Sequence, residues 1–596
     1  MSEKIINIGG ASGFWGDSNM AAHQLVQLGN LDYLVFDYLA EVTMSIMARA
    51  RSNDPEHGYA LDFVTVVLKN TLKAIAEKKI KVISNAGGVN PEACGRAIED
   101  LATELGLELT VATVTGDDIV DRVEDLRSNG TQEMFTGQEM PQSFMSVNAY
   151  LGAFSIAEAL DKGADIVVTG RCVDSAVTLG ACIHEFGWNA DEYHKLAGGS
   201  LAGHIIECGA QASGGLYTDW EESNQWENVG YPIATMNADG SFEVSKPEGT
   251  GGIVNRQTVA EQLVYEIGDP QAYILPDVVC DFSQVLIEDV AENRARVSNI
   301  LGIKPTNTLK VSATWKDGYR IGAYITIRGM DAAAKAQKVA DAVLKRCDGM
   351  VKQLGAPPFS ETSVEVLGAE AGYGPHAIHL QTREVVLKVA AKHPVPAVLM
   401  GLLRELTSSA TSMAPGIGGM GGNRPKPSPV VRLYSFLVDK KTVVPTVHIN
   451  GDSWQVPFSS GQVLDLNAIE RPTLDLAQEV SETVEMPLVK LAHGRSGDKG
   501  ADANIGIIAR KSEYYSLIRK ELTAERVRDY FSYLMNGDVE RYDLPGIHAL
   551  NFVLQDSLGG GGMNSLRNDP QGKAYAQILL EIPISVPADL AQQLNQ

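Results

Sequence analysis

Asp37, Glu41, Asp117, Asp118, Asp174 and Glu207 each stand a few residues beyond a short apolar run. Carboxylates that converge from scattered loops do one of two kinds of chemistry. Several together can hold a divalent cation, which takes oxygen ligands. Alternatively, one acts as a general base, its pKa raised by its like-charged neighbours. The plain alternative is helix capping, because Asp at a strand-to-helix junction accepts free backbone amides. Capping fits Asp117 and Asp118 best, since Gly116-Asp117-Asp118 opens a helix, but a run of such junctions favours function. Arg171 follows an apolar run and suits a carboxylate or phosphate gripped bidentately, with a salt bridge to Asp174 as the alternative. Asn85 and Asn90 flank Gly87-Gly88, where side-chain amides could stabilise a carbonyl or enolate oxygen. Gly10, Ser12 and Gly13 form a close-approach loop, with Asp17 as a helix cap. Its glycines lack the GxGxxG spacing and no P-loop lysine follows, so the dinucleotide reading is weak.

These residues need a scaffold that gathers them. Five apolar runs (5–8, 33–36, 82–84, 111–114 and 166–168) alternate with helical patterning, as buried parallel strands with crossover helices do. The carboxyl ends of such strands share one edge, and ligands bind there. The expectation is an α/β fold whose mostly parallel sheet is open and doubly wound, with a barrel as the alternative. Helices are expected at 18–29, from Pro91 onward, and at 147–162, and residues 211–290 read as loop-rich. From 309 an α+β pattern follows. Strands 309–315 and 320–328 join at a turn over 316–318, then come helix 331–354, strand 363–367 and helix 395–411. The Gly/Pro-rich segment 414–427 is either a lid in which Arg424 and Lys426 hold an anion or a solvated connection. The last hundred residues read as a small α+β domain with strands at 488–491, 504–509, 548–554 and 576–582 and helices at 512–522 and 524–535. The domain boundaries expected are 1–300, 301–470 and 487–585.

The densest polar segment is His493-Gly494-Arg495-Ser496-Gly497-Asp498-Lys499-Gly500, followed by Asp502 and Asn504. Arg495 and Lys499 in a glycine-rich turn could hold a CoA phosphate or a substrate carboxylate; the alternative is a charged hairpin in which Asp498 balances both. A second glycine run, 559–562, with Asn564 and Arg567, could face it. Among histidines, His204 lies near an expected strand edge, without an HExxH motif to make it a zinc ligand. The absence of GxSxG argues against an α/β-hydrolase.

The net charge of −24 opposes binding to nucleic acid or anionic membrane. No run of 18 apolar residues and no signal-peptide pattern occur, and six cysteines without a CxxC pair point to a reduced, cytoplasmic protein. A homo-oligomer is expected.

Several linked strings carry a resemblance: 12–17 (SGFWGD), 37–41 (DYLAE), 85–91 (NAGGVNP), 115–118 (TGDD), 170–176 (GRCVDSA) and 495–500 (RSGDKG). The chain resembles the acyclic terpene utilisation A family over nearly its whole length. The resemblance implies an N-terminal domain over about 4–455 and a ferredoxin-like α+β domain over about 487–585. It also implies bacterial breakdown of acyclic terpenes and branched acids as CoA thioesters, by a lyase or hydratase step on a branched hydroxyacyl-CoA. Partners so implied are the acyl-CoA or branched acid and acyl-CoA carboxylase subunits. The alternatives are a non-catalytic assembly subunit for such a carboxylase and a nucleotide-dependent transferase. No cofactor is specified, and a divalent metal remains open.

Overall fold

The structure, a computed structural model, describes residues 4–420, 424–474 and 482–594. All five apolar runs are strands: β1 (Ile5–Gly10), β2 (Tyr33–Phe36), β3 (Lys81–Ser84), β4 (Val111–Thr115) and β5 (Ile166–Thr169). They lie side by side and parallel in the order β1-β2-β3-β5-β4. The reason is burial on both faces. Leu34, Phe36, Val82 and Val168 pack beneath helices α1 (Met20–Leu28), α2 (Glu41–Asn53), α3 (Lys69–Lys78) and α4 (Pro91–Glu104). Tyr33, Val35, Ile83 and Val167 pack on the other side against α5 (Phe154–Asp161), α6 (Ala176–Phe186), α7 (Tyr193–Ile206) and α8 (Arg256–Leu263). Alternate residues of one strand thus feed two cores, and the strands read as unbroken apolar runs.

The sheet is open and does not close into a barrel. Antiparallel strands extend it beyond β1 through β6 (Ile233–Asn237) and β7 (Phe242–Ser245), and beyond β4 through Thr446–Ile449 and Asp452–Gln455. The segment 211–290, expected to be loop-rich, therefore supplies β6, β7 and α8. Its glycines mark connections between short strands rather than one long loop.

A second sheet centres on one strand, Thr308–Arg328, rather than on the expected hairpin. Lys316-Asp317-Gly318 is a bulge: the register against Ser428–Asp439 shifts there, and Gly318 takes a left-handed φ of +76°. Residues 146–149 are a strand on this sheet, not the start of helix 147–162; Val147 and Ala149 pair with Ala313 and Val311. Helix formation waits until Phe154. Helices Ala332–Gln353 and Pro396–Ser412 cover one face, close to expectation. Within 414–427, Ile417–Met420 adds an edge strand, against the expectation that glycine and proline would keep the whole segment out of a sheet. Residues 421–423 and 479–481 lie outside the described residues.

The C-terminal domain is ferredoxin-like. Its four-stranded antiparallel sheet runs Ala492–Lys499, Asp502–Ala509, Ala549–Leu554, Val539–Leu544, with helices Tyr515–Glu521, Ala524–Tyr530 and Tyr575–Leu579 over one face. Two expectations shift here. Residues 488–490 are a single 3-10 turn, so the polar segment after them is itself a strand and not a loop. Residues 575–579 are helical, and the last strand is Pro583–Pro587, held by pairing with Thr483–Pro487. Among the described residues, no helix is long and apolar enough to cross a membrane.

Candidate active site

The carboxyl ends of the parallel strands meet as the fold requires. Asp37, one residue past β2, is 8% exposed, and Asn85, one residue past β3, is fully buried. Asn85 Nδ2 donates to Asp37 Oδ1, while Asn85 Oδ1 accepts the Tyr38 amide at 2.7 Å. Ser12 Oγ, beyond β1, donates to the Asp37 carbonyl at 2.9 Å. Three strand ends are thereby tied around one carboxyl. Burial drives the Asp37 pKa well above the ordinary carboxylate range, and the charges of Asp174 and Glu207 add to this against Arg171 and Asn85.

Arg171, two residues past β5, is 3% exposed. Its Nη1 donates to Asp174 Oδ1 at 2.6 Å and to the Cys172 carbonyl at 2.8 Å, and its guanidinium stacks 4.2 Å from the Tyr150 ring centroid. Its Nε is buried without a hydrogen-bond partner among the described residues. Burial opposes its charge, but Asp174, Tyr150, Glu41 and Asp37 outweigh that and hold it firmly cationic. The salt bridge to Asp174 therefore exists, and it sits inside the cluster rather than replacing it.

Glu41 opens α2 and accepts the Tyr150 hydroxyl at 2.7 Å. Burial works against its ionisation, yet Lys310 and Arg171 prevail and bring its pKa down to about 2. Glu207 behaves oppositely: burial raises its pKa, against the pull of His204, and Asp174 adds to the rise. His204 lies on helix α7, not at a strand edge. Its Nε2 faces the Leu263 carbonyl at 3.3 Å and its Nδ1 faces Glu207 Oε1 at 3.1 Å. A carbonyl only accepts, so Nε2 carries a hydrogen and one further proton is shared between Nδ1 and Glu207.

The wall opposite belongs to other parts of the chain. Lys310, from the long strand, has its ammonium 5.3 Å from the Tyr150 ring centroid. Lys499, from the C-terminal domain, has its ammonium 5.8 Å from the Tyr273 ring centroid. Both side chains reach solvent. Lys310 nonetheless sits deep in the cleft: its enclosure lowers its pKa, Glu41 opposes this, and Lys499 and Arg171 add to it. Lys310 stands in an expected strand but, like Tyr150 and Tyr273, carried no signal of its own, because these single residues are brought here by long-range pairing.

The remaining expected residues are placed elsewhere. Asp117 is 3% exposed and accepts the Asn148 side chain and the Arg171 amide, both at 2.8 Å. It braces the cluster from below. Burial pushes its pKa up to about 7, against the Arg171 amide bond and with help from Asp118. Folding therefore takes up a proton between pH ~4 and ~7, and stability falls as pH rises through that window, by on the order of 4 kcal/mol for this group. Unfolding free energy should accordingly be greater at pH 5 than at pH 8, and Asp117→Asn should reduce that slope in urea melts. Asp118 instead pairs with Arg51 at 2.9 Å on the partly exposed surface. Asp118→Ala should cost under about 1 kcal/mol of stability and leave turnover unchanged.

The glycine loops serve the protein's own packing. A Cβ on Gly10 would strike the Ile206 carbonyl and one on Gly13 the Gly209 amide, and the Gly13 amide already donates to Asp17 at 2.9 Å. Gly87 and Gly88 likewise give room to Thr169 and Met47. Odd residues of Ala492–Lys499 all face the α/β domain. His493 meets Asp219 at 2.9 Å, Arg495 donates to the Leu216 carbonyl at 2.6 Å and to Gln211, and Gly497 rests against Tyr265 and Glu266. Arg495 and Asn504 are thus spent on the interface; Asn504 donates to the Val264 carbonyl at 2.6 Å and accepts the Glu266 amide at 2.9 Å. Asp498 shares Lys573 with Glu266, and burial with the nearby Glu266 charge pushes its pKa up to about 6. Among the described residues, no group of three or more His, Cys, Asp or Glu side chains is placed to hold a metal ion.

Comparison with protein families decides the relationship. The family model described as acyclic terpene utilisation family protein AtuA matches residues 6–449. The chain belongs to the AtuA family. The AtuA ferredoxin-like domain matches residues 486–585, the domain that delivers Lys499 to the cleft. No curated protein and no solved structure matches this AtuA family member. The family description places the chain in acyclic terpene utilisation, and the site chemistry must come from its own residues.

Proposed function

We propose that this protein is a catabolic acid–base enzyme, a lyase or hydratase that acts on the CoA thioester of a branched acid through an enolate. The observation that supports this most is Asp37: a buried carboxyl, pinned by Asn85, with its pKa raised toward the working range and a guanidinium beside it. A general base is most effective when its pKa approaches the operating pH. In its ionised form Asp37 takes the proton from the carbon next to the thioester carbonyl. The positive charge of Arg171 stabilises the enolate oxygen that develops. The proton shared by Glu207 and His204 goes to the departing hydroxyl as the C–O bond breaks, and water leaves. In the cleaving direction the same carboxyls take the hydroxyl proton while the C–C bond breaks, and they protonate the enolate. Asn85 positions Asp37 rather than meeting the substrate, because both ends of its amide are engaged.

The test is mass spectrometry of branched 3-hydroxyacyl-CoA thioesters incubated with the purified protein. Loss of water identifies a hydratase, and cleavage into two products identifies a lyase. Unchanged masses across the panel, with co-purification of carboxylase chains, would contradict the proposal in favour of an assembly subunit.

A further inference from the structure

A cavity of about 180 Å³ opens where four separate segments of the chain meet, and its lining includes no residue of the strand-end cleft. Its apolar walls come from Phe154 at the start of α5, from Pro445, and from Val456, Pro457 and Phe458 beyond the edge strand Asp452–Gln455. Two polar side chains stand among them. Ser155 is 3% exposed, and its Oγ has no hydrogen-bond partner among the described residues. Asp277 is 4% exposed; its Oδ2 accepts the Ala153 amide at 2.6 Å, which leaves Oδ1 without a hydrogen bond among the described residues. Gly152 admits that carboxyl, because a Cβ there would strike both of its oxygens.

Helix capping accounts for Oδ2 of Asp277 but not for the rest. A buried hydroxyl without a partner is costly to the fold, and Ser155 gains one only when something enters the cavity. Water fits poorly: an ordered water needs about three polar partners, and most of this wall is carbon. An apolar cavity of about 150 Å³ takes one benzene ring, so this one has room for a ring with one polar atom. The polar atom that suits is a hydroxyl, which can donate to Asp277 Oδ1 and accept from Ser155 Oγ. A carboxylate or phosphate would meet the Asp277 carboxyl. An ammonium would meet Lys440, which is buried, donates to the Pro276 carbonyl at 2.5 Å and stands 5.9 Å from the ring centroid of Phe458.

We propose that this cavity is a binding site for a small neutral hydroxyl compound, about one ring in size, whose hydroxyl is held between Asp277 and Ser155. The site is separate from the cleft, so the inference does not depend on the reaction assigned to Asp37. Its occupant joins segments far apart in the chain: the start of α5, the approach to the strand Val279–Asp281 and the edge of the large sheet. Binding therefore stabilises the folded chain by mass action.

The experiment is a saturation-transfer NMR titration of the full chain with phenol, and with toluene, benzylamine and benzoate as probes that lack the neutral hydroxyl. The expected result is saturable phenol binding, at least fivefold tighter than that of the other three, with a higher melting temperature when phenol is present. Ser155→Ala should weaken phenol at least threefold. Ala190→Leu, in the turn between α6 and α7, fills the cavity from its wall and should abolish binding. Circular dichroism checks that both variants fold; neither removes a hydrogen bond that the protein itself makes. No saturable phenol binding by the wild type, or unchanged phenol affinity in either variant, would overturn the proposal. So would toluene or benzylamine binding as tightly as phenol, the first because the hydroxyl then plays no part and the second because Asp277 then serves a cation.

Discussion

Asp37→Asn is expected to lower kcat on a branched hydroxyacyl-CoA by ~10²–10⁴-fold, the usual contribution of a positioned acid or base, while the melting temperature holds or rises. Asparagine keeps an oxygen for the Asn85 Nδ2 donor and removes the group that Asp174 and Glu207 repel. The sign follows from linkage. A carboxyl whose pKa is higher folded than unfolded burdens the native state once pH exceeds its unfolded value, so removing the charge relieves the fold. A structural Asp37 would behave otherwise, with activity and stability falling together. The wild-type pH profile of kcat/KM should show a limb above the ordinary carboxylate range that Asp37→Asn abolishes.

Gly506→Ala tests the architecture without touching the cleft. Gly506 lies on the strand Asp502–Ala509 where the C-terminal sheet meets the end of α8, and an added Cβ would drive into the side chain of Val264. Valine is stiff at χ1 and cannot turn aside cheaply. Overpacking of this kind costs about 1–3 kcal/mol, readable as a lower urea midpoint. The bonds of Asn504 to Val264 and Glu266 span the same contact, so the two layers should separate slightly. An unchanged urea midpoint would show that the Val264 contact takes an added Cβ without cost.

The gathering of Asp37, Asn85, Arg171 and Asp174 was legible in the sequence because each follows a buried parallel strand, and such strands leave unbroken apolar runs ending in polar residues. Topology then brings the ends together without further information. Asp118 shows the limit of that reasoning, because one residue of chain direction separates the buried Asp117 from a surface pair with Arg51. The opposite wall was not legible. Ser146–Ala149 reads as helix because its alternation spans only four residues, and Tyr150 follows it. Ala492–Lys499 reads as a turn because glycine and serine hide a period of two that appears only when odd residues meet another domain. Lys310 is one charged residue in a long strand whose bulge at Gly318 imitates a hairpin. Sites assembled from distant segments depend on pairing that local pattern does not encode.

The central claim is that Asp37 moves a proton at the carbon beside a thioester carbonyl. The direct measurement is deuterium incorporation at that carbon, by mass spectrometry, when a branched 3-hydroxyacyl-CoA thioester is held in D₂O with the wild type or with Asp37→Asn. The account predicts rapid exchange with the wild type, even where no net product forms, and exchange at the uncatalysed rate with the variant. Equal exchange by both proteins, or none above the uncatalysed rate by either, would contradict it.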